Sequence, residues 1–340
     1  MIDRAGRAEL VEHARLSIAR GSKSFAAASR LFDRATREKV WLLYAWCRAC
    51  DDIADAQDHG GALGDQSDAG ERLATIRELT GHALAGEATG RPAFDALGLV
   101  ARETGVSAAM AEDVVAGFAL DASAWRPASE ADMLRYCYHV AGAVGVMMAV
   151  VMGVAPGDED TLDRACDLGL AFQLANIARD VAEDHAAGRC YLPGDWLAEA
   201  GIAPDDLMEA RHRPAVGRML RRLGALEAGY EASARVGAAR LPFRSRWAVL
   251  AAAGIYGAIA REAARLGETA LDRRIVTSRA AKAGFVARGL AGALLPVKPL
   301  TTLTPNNLAA AAVFMIACAA RWRTPSGSPS PQISGDKIDL

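Results

Sequence analysis

The chain has little of what most functional classes require. Aromatic residues make up 6% of its 340 residues, and histidine occurs only six times. Its six cysteines show no disulfide-like spacing. Cys47-x-x-Cys50 lacks the strand-to-helix setting of a redox pair and the second pair of a zinc site, so these thiols read as small helix residues. A net charge of −2 gives no field for nucleic acid. Residues 1–7 are charged and lack the apolar core of a signal peptide. The longest apolar stretches, 140–155, 247–260 and 308–320, fall short of the ~18 residues of a membrane span. No Gly-rich dinucleotide fingerprint occurs, so NADPH is not expected. Alternating β-branched residues are nearly absent, which excludes a sheet-built fold. The chain is expected in the cytoplasm, with at most peripheral contact with the inner face of the cell membrane. No obligate protein partner is implied.

Apolar residues make up 51% of the chain, with abundant alanine and mostly helical spacing. Helices are predicted near 5–19, 34–57, 69–86, 92–104, 107–123, 129–153, 158–186, 214–239, 244–267, 279–295 and 305–322. Gly60-Gly61, Pro92, Pro127, Pro156-Gly157, Pro193-Gly194, Pro242 and Pro296 fit the gaps. No Pro/Gly/Ser-rich linker divides the middle. The expectation is one all-α domain over 1–323 and a disordered tail over 324–340.

Two acidic runs lie inside this pattern: Asp51-Asp52-Ile53-Ala54-Asp55 and Asp180-Val181-Ala182-Glu183-Asp184. Spacing by four stacks Asp51 on Asp55, and Asp180 on Asp184, about 6 Å apart along each axis. Like charges so placed repel, and facing a core they are costly unless cations sit between them. Oxygen donors without His or Cys point to Mg²⁺ or Mn²⁺ shared with substrate phosphates. Tyr44 and Arg48 share the first stripe with Asp51 and Asp55. Gln173 and Asn176 share the second with Asp180 and Asp184, and Asn176 is counted among the metal ligands. Ser22-Lys23-Ser24-Phe25 precedes a helix, where an anion can bind; Arg179 and Arg189 adjoin the second run. Tyr136, Val140, Val144, Met147 and Val151 form an apolar stripe topped by one hydroxyl, beside Gly142, Ala143 and Gly145. His139 reads as a structural histidine. A metal–diphosphate mouth above an apolar helix-lined tunnel suits prenyl diphosphates.

Three segments, Tyr44-Ala-Trp-Cys-Arg48-x-x-Asp51-Asp-Ile-Ala-Asp55, Tyr136-Cys-Tyr-x-Val-Ala-Gly-x-Val-Gly145 and Gly169-x-x-x-Gln173-x-x-Asn176-Ile-x-Arg179-Asp180-x-x-Glu183-Asp184 with Arg189-x-Tyr191-x-Pro193, resemble the squalene/phytoene synthase family over residues 15–300. The wording around 164–197 is most similar to its bacterial phytoene-synthase branch. The resemblance implies an all-α isoprenoid-synthase bundle around a central cavity, several Mg²⁺ ions, and head-to-head condensation of two geranylgeranyl diphosphates without a reductant. It also implies that Ser22, Lys23, Arg48, Arg179 and Tyr256 touch substrate, and it places Tyr136 with Asp51, Asp55, Asp180 and Asp184 in the chemistry. Gly21 stands where some relatives carry His, which removes one phosphate contact. The rivals are farnesyl diphosphate as substrate, a terpene cyclase or head-to-tail prenyltransferase, and a non-catalytic assembly protein. A second acidic run and the Arg-x-Tyr-x-Pro loop argue against a cyclase. Retention of the key acids argues against a non-catalytic protein.

Overall fold

The computed structural model describes residues 4–57, 64, 65, 67–123 and 125–295, the side chains of Lys23 and Ser24 excepted. The helix expected over 305–322 and the tail expected over 324–340 lie outside the described residues. Among those residues every regular element is a helix and there is no strand. The first half holds α1 (Arg4–Gly21), α2 (Lys23–Ser29), α3 (Arg34–Ala54), α4 (Ala69–Leu84), α5 (Pro92–Thr104) and α6 (Ala108–Ala122). A rod follows, made of α7 (Glu130–Cys137), a π turn (Tyr138–Gly142) and α8 (Ala143–Val151). Then come α9 (Glu159–Ala186), the short α10 (Gly194–Glu199), α11 (Arg213–Ala238), α12 (Phe243–Leu266) and α13 (Arg279–Leu294).

Local chemistry sets the starts. Ser22, Asp33, Ser107, Ser129, Asp158 and Ser278 each accept a backbone N–H of the first turn of the helix that follows. Proline opens α5 and α11, where a missing N–H costs nothing. α5 ends on Gly105, whose φ of +95° suits a residue without Cβ. The thiols behave as expected: burial pushes Cys47 up to about 12 and Cys50 well above its ordinary value. The paired cysteines are free and sit inside α3.

α9 is the axis of the bundle, in contact with α8, α11 and α12, while α3 packs on α1 and α5 of the first half and reaches α8, which lies against α9. α8 and α9 approach closely because glycines face backbone. A Cβ on Gly169 would lie 2.2 Å from the Ala141 carbonyl oxygen, and one on Gly145 would lie 2.4 Å from that of Ala165. The π turn changes the phase of the rod. The predicted stripe assumed 3.6 residues per turn throughout; a π turn inserts one residue. Val140 and Val144 are joined on the cavity wall by Met148 and Met152. Met147 and Val151 are instead buried in the core, 0% and 3% exposed. The rod Glu130–Val151 is also long enough, with an 18-residue window of mean hydropathy 1.4, to pass as a membrane span. More than half of that window, 56%, is buried among the other helices, as a core helix would be.

The glycine contacts set a test of opposite signs. Gly169→Ala should destabilise the fold by about 1–3 kcal/mol through overpacking against rigid backbone. Gly229→Ala, in mid-α11 with open space around the added Cβ, should stabilise it by about 0.5–1 kcal/mol. Urea titrations of both variants check this; equal effects would discount the contact.

Candidate functional site

α3 delivers the first acidic run at its C-terminal end. Asp55 is the C-cap, its N–H donating to the Asp51 carbonyl at 3.0 Å. The chain then leaves through Ala56 at φ +50°, a left-handed conformation that strains a residue with a Cβ. One turn before the run, the half-buried Arg48 guanidinium pairs with Asp51 and lies 3.5 Å from Asp52. One turn earlier again, Tyr44 rests against Phe25 with ring centroids 5.7 Å apart. Tyr44 also explains Gly21: an added Cβ there would meet the tyrosine hydroxyl at 2.4 Å. The Ser22 hydroxyl caps α2 by accepting the Phe25 N–H at 3.2 Å. The backbones of Lys23 and Ser24 continue α2; their side chains lie outside the described residues.

α9 delivers the second run. Gln173 and Asn176 line the cavity, with the Asn176 amide donating to Gln173 Oε1 at 3.3 Å. A turn further on, Arg179 grips Asp180, its Nε donating at 2.7 Å. Arg274, from the segment between α12 and α13, reaches the same carboxylate at 3.1 Å. Asp184 is pushed up to about 7, first by burial and then by Asp180, with Arg189 opposing the shift.

Arg189 joins the two runs. From the loop after α9 its Nη2 donates to Asp55 Oδ1 at 2.9 Å, and its charge acts on Asp184 and Asp121. Gln57 donates to the other Asp55 oxygen at 3.3 Å. Asp121, at the end of α6, accepts from the hydroxyls of Tyr136 at 3.1 Å and Tyr191 at 3.0 Å. Burial first, with Asp55 nearby, raises Asp121 to about 6. The Tyr136 ring stacks on Tyr191 at 4.8 Å and on Trp125 at 5.6 Å. Asp121 and Arg274 were not singled out in the sequence. Asp121 left one trace, a lone acid in the apolar turn Gly-Phe-Ala-Leu-Asp121-Ala; Arg274 left none. His139 is structural as read, its ring nitrogen 2.9 Å from the Asp113 carbonyl.

A cavity of about 300 Å³ runs from this mouth between α2, α8, α9, α11 and α12. Its walls are apolar or small, among them Val140, Val144, Met148, Leu168 and Ala252. Tyr256 stacks on Phe172 at 4.0 Å beside the mouth. Among the described residues no three Asp, Glu, His or Cys side chains already converge as a metal cage. Guanidinium groups hold Asp51, Asp55 and Asp180 instead. The donor set of Asp51, Asp55, Asn176, Asp180 and Asp184 is nonetheless all oxygen. That chemistry fits a hard divalent cation.

The sequence model described as squalene/phytoene synthase matches residues 18–281. The phytoene synthase of Pseudescherichia vulneris is 47% identical over 275 residues, 80% of this chain and 88% of its own length. The 15-cis-phytoene synthase of Enterobacter agglomerans is 48% identical over 260 residues, 76% of this chain and 87% of its own. Among solved structures, a dehydrosqualene synthase in complex with ligand superposes with a TM-score of 0.74 at 24% identity, covering 84% of this chain and 97% of its own. A squalene synthase from Alicyclobacillus acidocaldarius gives 0.69 at 23% identity, covering 78% and 97%. The shared fold is the helical isoprenoid-synthase type, and with the sequence matches it establishes that this chain belongs to the squalene/phytoene synthase family.

Proposed function

We propose that the chain is a phytoene synthase, a prenyltransferase of carotenoid biosynthesis that condenses two geranylgeranyl diphosphates head to head and releases diphosphate. One observation carries the substrate: an apolar cavity has Gln173 and Asn176 on its wall, one turn of α9 from the Arg179–Asp180 pair. The identity of 45–48% to curated enzymes named phytoene synthase supports the same reading. Prenyl-diphosphate enzymes of this family generally use a divalent metal. Mg²⁺ is the metal proposed here, with Mn²⁺ as substitute, and no NADPH is required. Asp51, Asp55, Asn176, Asp180 and Asp184 would hold it, and when bound it supplies charge neutralisation for a departing diphosphate.

The chain's own groups do the rest. Arg48, Arg179 and Arg189 now lie against carboxylates; a diphosphate draws such guanidinium groups to itself by bidentate bonds. Ser22, Lys23, Ser24 and Phe25 lie where α2 begins, and the N–H groups of that end favour an anion. The cavity wall excludes water from an allylic cation, and the rings of Phe172 and Tyr256 on that wall offer it π-faces. One molecule's double bond attacks the cation formed by the other, and proton loss closes a cyclopropane, prephytoene diphosphate. A second ionisation, rearrangement and proton loss give phytoene.

Incubation of the protein with geranylgeranyl diphosphate and Mg²⁺, without NADPH, should give a forty-carbon hydrocarbon. Asp51→Asn and Asp180→Asn should each lower turnover by at least ~10³-fold while the protein stays folded. A faster reaction with farnesyl diphosphate, giving a thirty-carbon product, would overturn the substrate; full activity in either variant would overturn the site.

The raised carboxyls predict how stability follows pH. Asp184 at about 7, Glu227 at about 7 and Asp121 at about 6 all hold protons more tightly folded than unfolded. Their contribution is present below the ordinary carboxylate range and is lost as pH rises through 6 to 7. Metal-stripped protein should therefore melt lower at pH 7.5 than at pH 5.5. Mg²⁺ should raise the melting temperature more at the higher pH, and Asp184→Asn should flatten both trends. Differential scanning fluorimetry reads all three.

Location is proposed from the product, a long hydrocarbon that must pass into lipid. The chain works in the cytoplasm with peripheral contact at the inner face of the cell membrane. Leu294 and Leu295 are 67% and 64% exposed at the end of α13. Arg288 lies on the same helix. Co-sedimentation with anionic vesicles, reduced in Leu294→Ser/Leu295→Ser, is the expected result.

A further inference from the structure

The cavity is polar at both ends and apolar between. At the mouth the polar groups are Gln173, Asn176 and Tyr256; at the opposite end they are Thr161 and Arg164. Nothing in the proposed chemistry uses a cation there. Arg164 is also unusually fixed. Gly237 of α11 faces its stem so closely that an added Cβ would lie 2.5 Å from Arg164 Cβ and 3.1 Å from Cδ. Its guanidinium turns away into an ionic lattice. Nη1 donates to Ser233 Oγ at 3.3 Å, Nη2 lies 3.3 Å from Asp160, and Ser233 donates to the buried Asp167 at 2.6 Å. Arg240 closes the same lattice, 2.6 Å from Asp160 and 3.1 Å from Thr161 Oγ1. Such a side chain presents methylenes to an apolar space and keeps its charge in water-facing bonds.

We infer that Arg164, pinned between Gly237 and the Asp160–Ser233 lattice, is the floor of the prenyl pocket and sets the longest chain it accepts. The inference rests on the proposed reaction, and geometry gives it a scale. From Asn176 back to Arg164, α9 rises by about 18 Å, and to Thr161 by about 22 Å. An extended prenyl chain adds about 5 Å per five-carbon unit, from carbon–carbon bonds of about 1.5 Å. Four units, about 20 Å, end between the levels of Arg164 and Thr161, and a fifth, about 25 Å, would pass both. The ionic lattice makes the stop rigid, because displacing the stem would break bonds to Ser233 and Asp160 together.

The test compares a twenty-carbon with a twenty-five-carbon prenyl diphosphate. Arg164→Ala should raise the longer substrate's kcat/KM relative to the shorter by at least about tenfold, since the excluded unit is several methylenes long. Arg164→Met keeps a stem of similar length without the charge and should stay within about twofold of the wild-type ratio. A folded Arg164→Ala protein with the wild-type ratio, or one that loses activity equally for both lengths, overturns the floor. Non-hydrolysable thiodiphosphate analogues of both lengths give the same comparison as a Kd ratio. A wild type that binds them with the expected length preference but turns over neither substrate would sink the functional reading and leave the floor standing. A wild type that binds both lengths equally would sink the floor alone.

Discussion

Negative charge gathered at one end of a helical bundle has to be balanced. Asp51 and Asp55 arrive on α3, Asp180 and Asp184 on α9, and Asp121 on α6. Brought together in a half-buried space they would repel each other by several kcal/mol without compensation. Arg189 supplies part of the balance from a loop, bonding Asp55 while acting on Asp184 and Asp121. Arg48, Arg179 and Arg274 supply more. Burial, more than their neighbours' charge, raises the Asp184 and Asp121 carboxyls. This end of the bundle is suited to exchange: arginines can leave carboxylates for a diphosphate only if cations take their place.

The apolar part of the site depends on close helix packing. Glycines at 145 and 169 let α8 sit against α9 backbone to backbone. The π turn at Tyr138–Gly142 then adjusts the phase of the rod, so that Tyr136 points to Asp121 while Val140, Val144 and Met148 face the cavity. An unbroken α-helix would drift Met147 toward that wall and carry Tyr136 with a different neighbour. Polar and apolar halves of the site are thus placed by a single irregular turn. Such turns survive where the surrounding packing fixes them.

Much of this was legible in the residues themselves. Helical spacing, breakers and capping residues located the long helices among the described residues to within a few positions, because propensity and caps are local properties, but they missed the short α2 and α10. The paired carboxylates with their neighbouring arginines exposed the chemistry of the mouth, since no apolar core requires such residues. That mouth above an apolar stripe pointed to prenyl diphosphates, and family-like wording around Asp51, Tyr136 and Asp180 narrowed it to the squalene/phytoene synthase family. What the spacing could not reveal were groups that reach the site across the fold. Asp121 is an ordinary acid at a helix end until Tyr136 and Tyr191 bond it. Arg274 is one more loop arginine until it meets Asp180. The π turn depends on how α8 lies against α9, and the Arg164 floor depends on Gly237 from α11. Periodicity and residue type decide which faces are polar and which helices form, because both act over a few residues. Which faces meet, and what closes the cavity between them, is decided by packing between segments far apart in the chain.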